Sequence, residues 1–483
     1  MKIFVQTHVT MAGKSLRSLW WNSIQLFSTR SAPSLSVCIV GSGPAGFYTA
    51  DKLLKSHENV KIDIIDRLPT PFGLVRSGVA PDHPETKVVT NQFTRIAEDK
   101  RCSFFGNVMV GQSISLSELR ELYDVVVLAY GAESDRLLEI PGEHLSGIHS
   151  AREFVWWYNG HPECSNLSPN LFASRSAVIL GQGNVALDAA RILLRPKEEL
   201  ARTDIANHAF DALKRSEITK VYLVGRRGPA QAACTAKELR ELLGIRDLCV
   251  KINDDDMLLS PKDEEELKKS RIHRRIYELL SKASSNETNG EKDLHFVFFR
   301  RPALFSSLQS ERVSSVRLEK TKLQGTAGEQ VAMGTGEYEE LECGFVLKSI
   351  GYRSVPVEGL PFDNKNGVVP NAGGRVLRNT TSEKGVYVCG WLKRGPTGII
   401  GTNLYCAEET VASINDDISN GIIVAGKTGG TGLARVLEGR NIRYVPFSGW
   451  KKIDAEEVRL GVLSDKPREK ITSLEEMLRV AIG

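Results

Sequence analysis

The chain has 483 residues, 41% of them hydrophobic and 25% charged, which is room for two or three domains of ordinary globular composition. No apolar run approaches the roughly 20 residues of a membrane-spanning helix, so none is expected. The net charge of +4 is carried by Lys2, Lys14, Arg17 and Arg30 in an acid-free leader, and the rest balances, which excludes bulk attraction to nucleic acid.

The leader is rich in serine, and Leu16, Trp20, Ile24 and Phe27 fall on one helical face, with Lys14 largely away from it. That composition predicts an organellar transit peptide over residues 1–33, mitochondrial rather than plastid, processed near Arg30. From Ser36 the segment SVCIVGSGPAG reads as a strand turning tightly into a helix, with Gly41, Gly43 and Gly46 in G-x-G-x-x-G register. The first glycine permits the turn, the second admits a pyrophosphate to the backbone, and the third lets the helix pack against the strand. A helix over 47–56 and a strand over 60–66 follow. Asp66 ends that strand, 25 residues past Gly41, where a carboxylate can accept hydrogen bonds from an adenosine ribose. A dinucleotide site is predicted here, without its occupant.

A Pro/Gly-rich loop runs from Leu68 to Pro84 and is long enough to be functional. A helix around 85–98, short strands near 104–110 and a buried strand within 124–133 are expected next. A second βαβ unit opens at Ala177, where Gly181, Gly183 and Ala186 form G-x-G-x-x-A and a helix runs to Leu194 before Pro196. Its second strand, 220–225, leads into Arg226 and Arg227 where the first unit has Asp66. A carboxylate would repel a 2′-phosphate, whereas two arginines bind it through charge-assisted hydrogen bonds, so this unit reads as an NADP(H) site. Further on come a basic helix over 268–280, a strand at 344–352 echoing 124–131, a strand at 385–391 and a helix over 403–414. No chemistry is assigned to the tail from 445.

The eight cysteines include no C-x-x-C, so the spacing of an iron–sulfur cluster, a zinc ribbon or a redox disulfide is missing. Free, buried thiols in a reducing compartment are expected, and no metal site.

GPAGFYTA, PFGLVRSGVAPDHPE, GQGNVALDAARILL, VGRRGP with TAKELRE, and GWLKRGPTG together resemble the adrenodoxin reductase family of mitochondrial NADPH–ferredoxin oxidoreductases. The resemblance runs from Ser36 to the C-terminal PREK and EEMLR. It implies an α/β fold of two Rossmann-like dinucleotide-binding domains, the NADP domain inserted into a discontinuous FAD domain. The implied boundaries are 34–134 and 353–483 for FAD and 135–352 for NADP(H). FAD would then meet Gly41, Gly43, Ala45, Gly46, Asp66 (where the family commonly has Glu), Leu74, Val110, Trp391, Gly398, Ile399 and Ile400. NADP(H) would meet Gly181, Gln182, Gly183, Asn184, Arg226, Arg227, Glu238 and Gly398, and Asp188 and His83 would lie near the flavin. An acidic [2Fe–2S] ferredoxin would dock on Arg240, Arg271 and Arg275, with His273 weakening that basic pattern. The implied setting is the mitochondrial matrix, for a chain that does not span the membrane and can lie peripherally at the inner one.

Three enzymatic rivals share parts of this pattern. A pyridine-nucleotide disulfide reductase needs a redox cysteine pair, and the electron-entry subunit of an iron–sulfur enzyme needs cluster cysteines. A flavin monooxygenase would show substrate hydroxylation. From another class, a non-catalytic nucleotide-binding scaffold would not be reduced by NADPH.

Overall fold

The computed structural model describes residues 34–285, 290–308 and 311–483. The transit-peptide expectation falls on residues 1–33, outside the described residues. Strand β1 (Leu35–Val40), helix α1 (Pro44–Ser56) and β2 (Val60–Ile65) form the first βαβ unit, with Leu35 paired in parallel to Val60. β3 (Cys102–Phe105) extends the sheet beyond β2, and β4 (Val125–Leu128) lies on the other side of β1. Three strands from late in the chain, Asn371–Ala372, Arg375–Arg378 and Thr381–Val388, complete seven, the last of them parallel to β4.

Every residue of β1 is buried, because both faces of the sheet are covered. Val37 and Ile39 pack into one core with α1 and the helices Thr402–Ser419 and Phe447–Leu463. Cys38 and Val40 face the other core, which the helix Gly430–Gly439 covers.

The second sheet has six parallel strands: β5 (Ile148–Ser150), β6 (Ser176–Leu180), β7 (Lys220–Val224), β8 (Leu248–Ile252), β9 (Lys292–Val297) and β10 (Phe345–Lys348). They lie in the order β5-β10-β6-β7-β9-β8. Helices α2 (Asn184–Leu194), α3 (Ala236–Leu243) and α4 (Arg271–Ser284) pack on one face. An antiparallel sheet of Arg300–Ser306, Ser315–Gln324 and Val331–Glu342 packs toward the other, a layer the sequence did not announce. All six strands fall between β4 and Asn371, so one unit is inserted into the other. The outgoing and returning chains pair where they cross, Tyr352 with Asp135 and Arg353 with Ser134.

Local differences from the sequence reading have local causes. The helix expected over 85–98 is two pieces, Pro84–Lys87 and Thr90–Ala97. Only Cys102–Phe105 forms a strand near 104–110. The basic helix breaks at Ser270, which closes Pro261–Lys269 and caps α4 through its hydroxyl, accepting from His273 N at 3.2 Å. The helix expected over 403–414 extends to Thr402–Ser419, and the tail folds into Phe447–Leu463 and Leu474–Ile482.

Candidate active site between two glycine turns

At the first turn Gly41 adopts φ +108°, and a Cβ there would stand 2.6 Å from the Ala129 carbonyl oxygen. A Cβ on Gly46 would stand 2.0 Å from the Gly41 carbonyl oxygen, so only glycine lets α1 lie this close to the turn. Around Gly43 the space is open: a Cβ would meet nothing within 4 Å, and no side chain caps α1. Its first N–H groups therefore point where an anion can sit. Gly73 faces Gly43, bringing Leu74 and its helical turn over the loop. Gly390 faces Ala45, which sets Trp391 beside the start of α1.

Asp66 is tied into this turn. Its Oδ2 accepts from Ser42 N at 2.9 Å and Ser42 Oγ at 2.5 Å, and its Oδ1 accepts from Leu68 N at 3.0 Å. The Asp66 carbonyl accepts from Val108 N, which holds the segment carrying Val110 alongside. Gly398 and Ile399 are exposed at the start of Thr402–Ser419, and Ile399 N donates to Thr402 Oγ1 at 3.1 Å.

The second turn repeats the geometry. Gly181 has φ +134°, a Cβ on Gly183 would meet nothing within 4 Å, and α2 likewise has no side-chain cap. Gln182 tucks inward, its Nε2 donating to the Leu223 carbonyl at 3.1 Å. Asn184 Oδ1 accepts from Thr235 N at 2.8 Å and pins the start of α3 to that of α2. Arg226 is exposed and Arg227 half-buried, and no side-chain hydrogen bond or ion pair to either is found among the described residues. Burial and the neighbouring Arg226 charge hold the Arg227 guanidinium below its usual range, as expected of a cation short of a counter-charge.

Between the turns the fold joins His83, from the first unit, to Asp188 and Glu238, from the second. One ligand-type atom from each lies within 4.8 Å of the others. His83 Nε2 is 2.6 Å from Glu241 Oε2 and 3.7 Å from Glu238 Oε2. Arg191, almost fully buried, sits among these acids. It bonds Asp82 at 2.6 and 3.1 Å and Glu238 at 3.3 Å. Its Nη2 is 2.7 Å from Asp188 Oδ1, in an ion pair whose angle falls short of a hydrogen bond. That guanidinium supplies the countercharge a cation would otherwise bring. Burial pushes the Asp188 carboxyl from 3.8 to about 6, with Glu238 adding to the shift while Arg191 and His83 oppose it. The Tyr158 hydroxyl is buried without a hydrogen-bond partner among the described residues, and the Tyr352 ring lies 5.6 Å from that of Trp391.

The structure thus gathers Gly41, Gly43, Ala45, Gly46, Asp66, Leu74 and Trp391 at one turn and Gly181 to Asn184 at the other. Glu238, expected beside NADP(H), falls in the His83–Asp188 group. Sequence reasoning missed Arg191, Asp82 and Glu241; only the i,i+3 spacing of Asp188 and Arg191 on α2 offered a signal.

Arg240, Arg271 and Arg275 are all exposed, on α3 and α4, which share one core. Much of the surrounding charge is satisfied internally. Arg275 lies 3.2 Å from Glu278, Lys269 2.6 Å from Glu265, and His273 3.0 Å from Glu266. Arg274 closes the preceding helix by donating to the Leu267 and Lys268 carbonyls. Arg240 and Arg271 have no such partner among the described residues.

Two βαβ turns with open helix ends, joined through a buried acid–base cluster, define a two-nucleotide oxidoreductase. Residues 35–243 match the family model described as pyridine nucleotide-disulphide oxidoreductase. The chain is 63% identical over 468 residues to the mitochondrial NADPH:adrenodoxin oxidoreductase of Arabidopsis thaliana, covering 94% of this chain and 97% of that one. It is 46% identical to the mitochondrial NADPH:adrenodoxin oxidoreductase of Homo sapiens, covering 94% and 93%. A solved structure of Mycobacterium tuberculosis FprA in complex with NADPH aligns with TM-score 0.88 and 41% identity, covering 93% of this chain and all of that one. The chain belongs to the NADPH:adrenodoxin oxidoreductase family.

Proposed function

We propose that this chain is an NADPH:ferredoxin oxidoreductase that holds FAD at the β1–α1 turn and NADP(H) at the β6–α2 turn. The observation that carries the assignment is the contrast at the ends of the second strands, a carboxylate in one unit and, in the other, two guanidiniums without an ion pair among the described residues. The residues present fit both groups: each helix N-terminus is uncapped and open beside a glycine. FAD held there would supply the chemistry that links two-electron hydride transfer from NADPH to single-electron delivery to a [2Fe–2S] ferredoxin.

The chain supplies position and electrostatics. Gly41, Gly43, Ala45 and Gly46 admit the FAD pyrophosphate. Asp66, oriented by Ser42, keeps acceptor capacity for ribose hydroxyls; Leu74, Val110, Trp391 and Gly398 to Ile400 line the rest. Gly181 to Asn184 cradle the NADP(H) pyrophosphate, and Arg226 and Arg227 grip its 2′-phosphate. Asp188, His83 and Glu238 would set the charge near the flavin: Arg191 anchors the acids, and Asp188 keeps a proton at its carboxyl up to about pH 6. Ferredoxin docks on Arg240 and Arg271, with Arg275 released from Glu278 on contact. We place the domain boundaries at 34–134, 135–352 and 353–483, and the enzyme in the mitochondrial matrix, against the inner membrane or free. No helix among the described residues is long and apolar enough to cross a membrane.

The test is NADPH-dependent cytochrome c reduction with and without a [2Fe–2S] ferredoxin. A rate that rises at least tenfold with ferredoxin is expected; a rate indifferent to ferredoxin contradicts the proposal.

A further inference from the structure

The fold brings together two cysteines that stand far apart in the sequence and match no C-x-x-C spacing. Cys389 follows the last residue of Thr381–Val388, and Cys406 lies in the second turn of Thr402–Ser419. The Gly390 N–H donates to Cys406 Sγ at 3.1 Å. Because that nitrogen is covalently about 2.4 Å from Cys389 Cα, Cys406 Sγ lies within about 5.5 Å of Cys389 Cα. Each thiol is the leading influence on the other's protonation, and both residues are packed in the first sheet's core. Neighbouring thiols on two packed segments are the starting arrangement a disulfide requires.

The two sulfurs are not equivalent. Cys406 accepts from Cys389 and from the Gly390 N–H and lies near Lys393 and Arg394, which together hold its thiol below the usual range against the cost of burial. Cys389 is fully buried and is pushed the other way by giving its hydrogen bond to Cys406. Cys406 retains 6% exposure, whereas Cys389 has none.

We propose that Cys389 and Cys406 form a modification site at which a hydroperoxide closes an intramolecular disulfide. The Cys406 thiolate attacks the terminal peroxide oxygen, the O–O bond breaks, and the departing alkoxide or hydroxide takes a proton to leave as alcohol or water. The resulting sulfenic acid is attacked at sulfur by Cys389, an S–S bond forms, and the sulfenic oxygen leaves as water with the Cys389 proton. Two thiols are oxidised by two electrons in total, and one peroxide is reduced. The bond would tie the strand end to the helix that packs on α1, next to Gly390 and Ala45. Any consequence for bound flavin rests on the FAD reading above; the sulfur chemistry does not.

The test treats the purified full chain with a small excess of hydrogen peroxide, alkylates the remaining thiols and maps the peptides by mass. Expected is one cross-linked pair joining the Cys389 and Cys406 peptides, two hydrogens lighter, reversed by dithiothreitol and absent from Cys389→Ala and Cys406→Ser. Both thiols still alkylated, or Cys406 carried to sulfinic acid with Cys389 free, would overturn the proposal. The wild-type map decides by itself if either variant fails to fold, and it does not depend on flavin content.

Discussion

The two glycine turns are built alike and finished differently. Gly41 and Gly181 both adopt positive φ under the end of a neighbouring strand, and Gly43 and Gly183 both stand in open space at an uncapped helix. Beyond the turn the likeness stops. Asp66 spends hydrogen bonds on Ser42 and Leu68, whereas neither Arg226 nor Arg227 has a side-chain hydrogen bond or ion pair among the described residues, and the two repel each other. The first turn is also roofed by Gly73 and Gly390, which come from the loop after β2 and from the returning chain. A phosphate cradle is therefore a common part, and in the proposed assignment the residues at the end of the second strand distinguish its occupant.

The largest break in this comparison should come from exchanging its third positions. Gly46→Ala forces a Cβ against the Gly41 carbonyl oxygen, so its expected cost is about 3 kcal/mol with loss of bound flavin. Ala186→Gly should cost about 1 kcal/mol, the helix propensity difference. Melting curves and flavin absorbance of both proteins check this; equal melting points would show that the close approach at α1 is not a constraint. Next is Arg226→Ala with Arg227→Ala. Losing charge-assisted bonds of roughly 1.5–3 kcal/mol each should raise KM for NADPH by about a hundredfold or more and leave NADH nearly unchanged. Equal losses with both nucleotides would remove the 2′-phosphate assignment.

An effect of similar size, read through pH, is expected at the joint between the units. The folded-state value of Asp188 is raised from 3.8 to about 6, so its contribution to stability is full below about pH 4 and is lost as pH rises through about 6. Wild type should lose on the order of 3 kcal/mol relative to Asp188→Asn across that window. Parallel stability profiles for the two proteins would show that the group is not perturbed. The smallest effect concerns docking: Arg240→Ala with Arg271→Ala should raise KM for ferredoxin a few-fold and flatten its salt dependence. A salt slope unchanged by the pair would move the docking surface elsewhere.

What the sequence disclosed follows from how local each signal is. Both turns, Asp66 and the Arg226–Arg227 pair were legible because tight turns demand glycine at fixed offsets and the second strand's end follows at a fixed distance. The insertion of one unit into the other was legible through the echo of the two strands and the family resemblance. The His83–Asp188–Glu238–Arg191 cluster was not legible from spacing, since its members come from a Pro-rich loop and two helices of the other unit. The Cys389–Cys406 approach was hidden for the same reason: a strand end meets a helix only in the fold, so the absence of C-x-x-C hid a spatial pair. The tail read as charged and idle, yet Glu457 is fully buried there and bonds Arg76 at 2.9 Å. Such a pair has no signature until the two ends of the chain meet.

The most direct measurement is an anaerobic titration of the purified protein, followed at the flavin absorbance. About one equivalent of NADPH should bleach a bound yellow flavin, NADH at the same concentration should do so far more slowly, and oxidised ferredoxin should restore the colour. A protein that carries no flavin, or one bleached equally fast by NADH and NADPH, would contradict the division of the two turns between FAD and NADP(H).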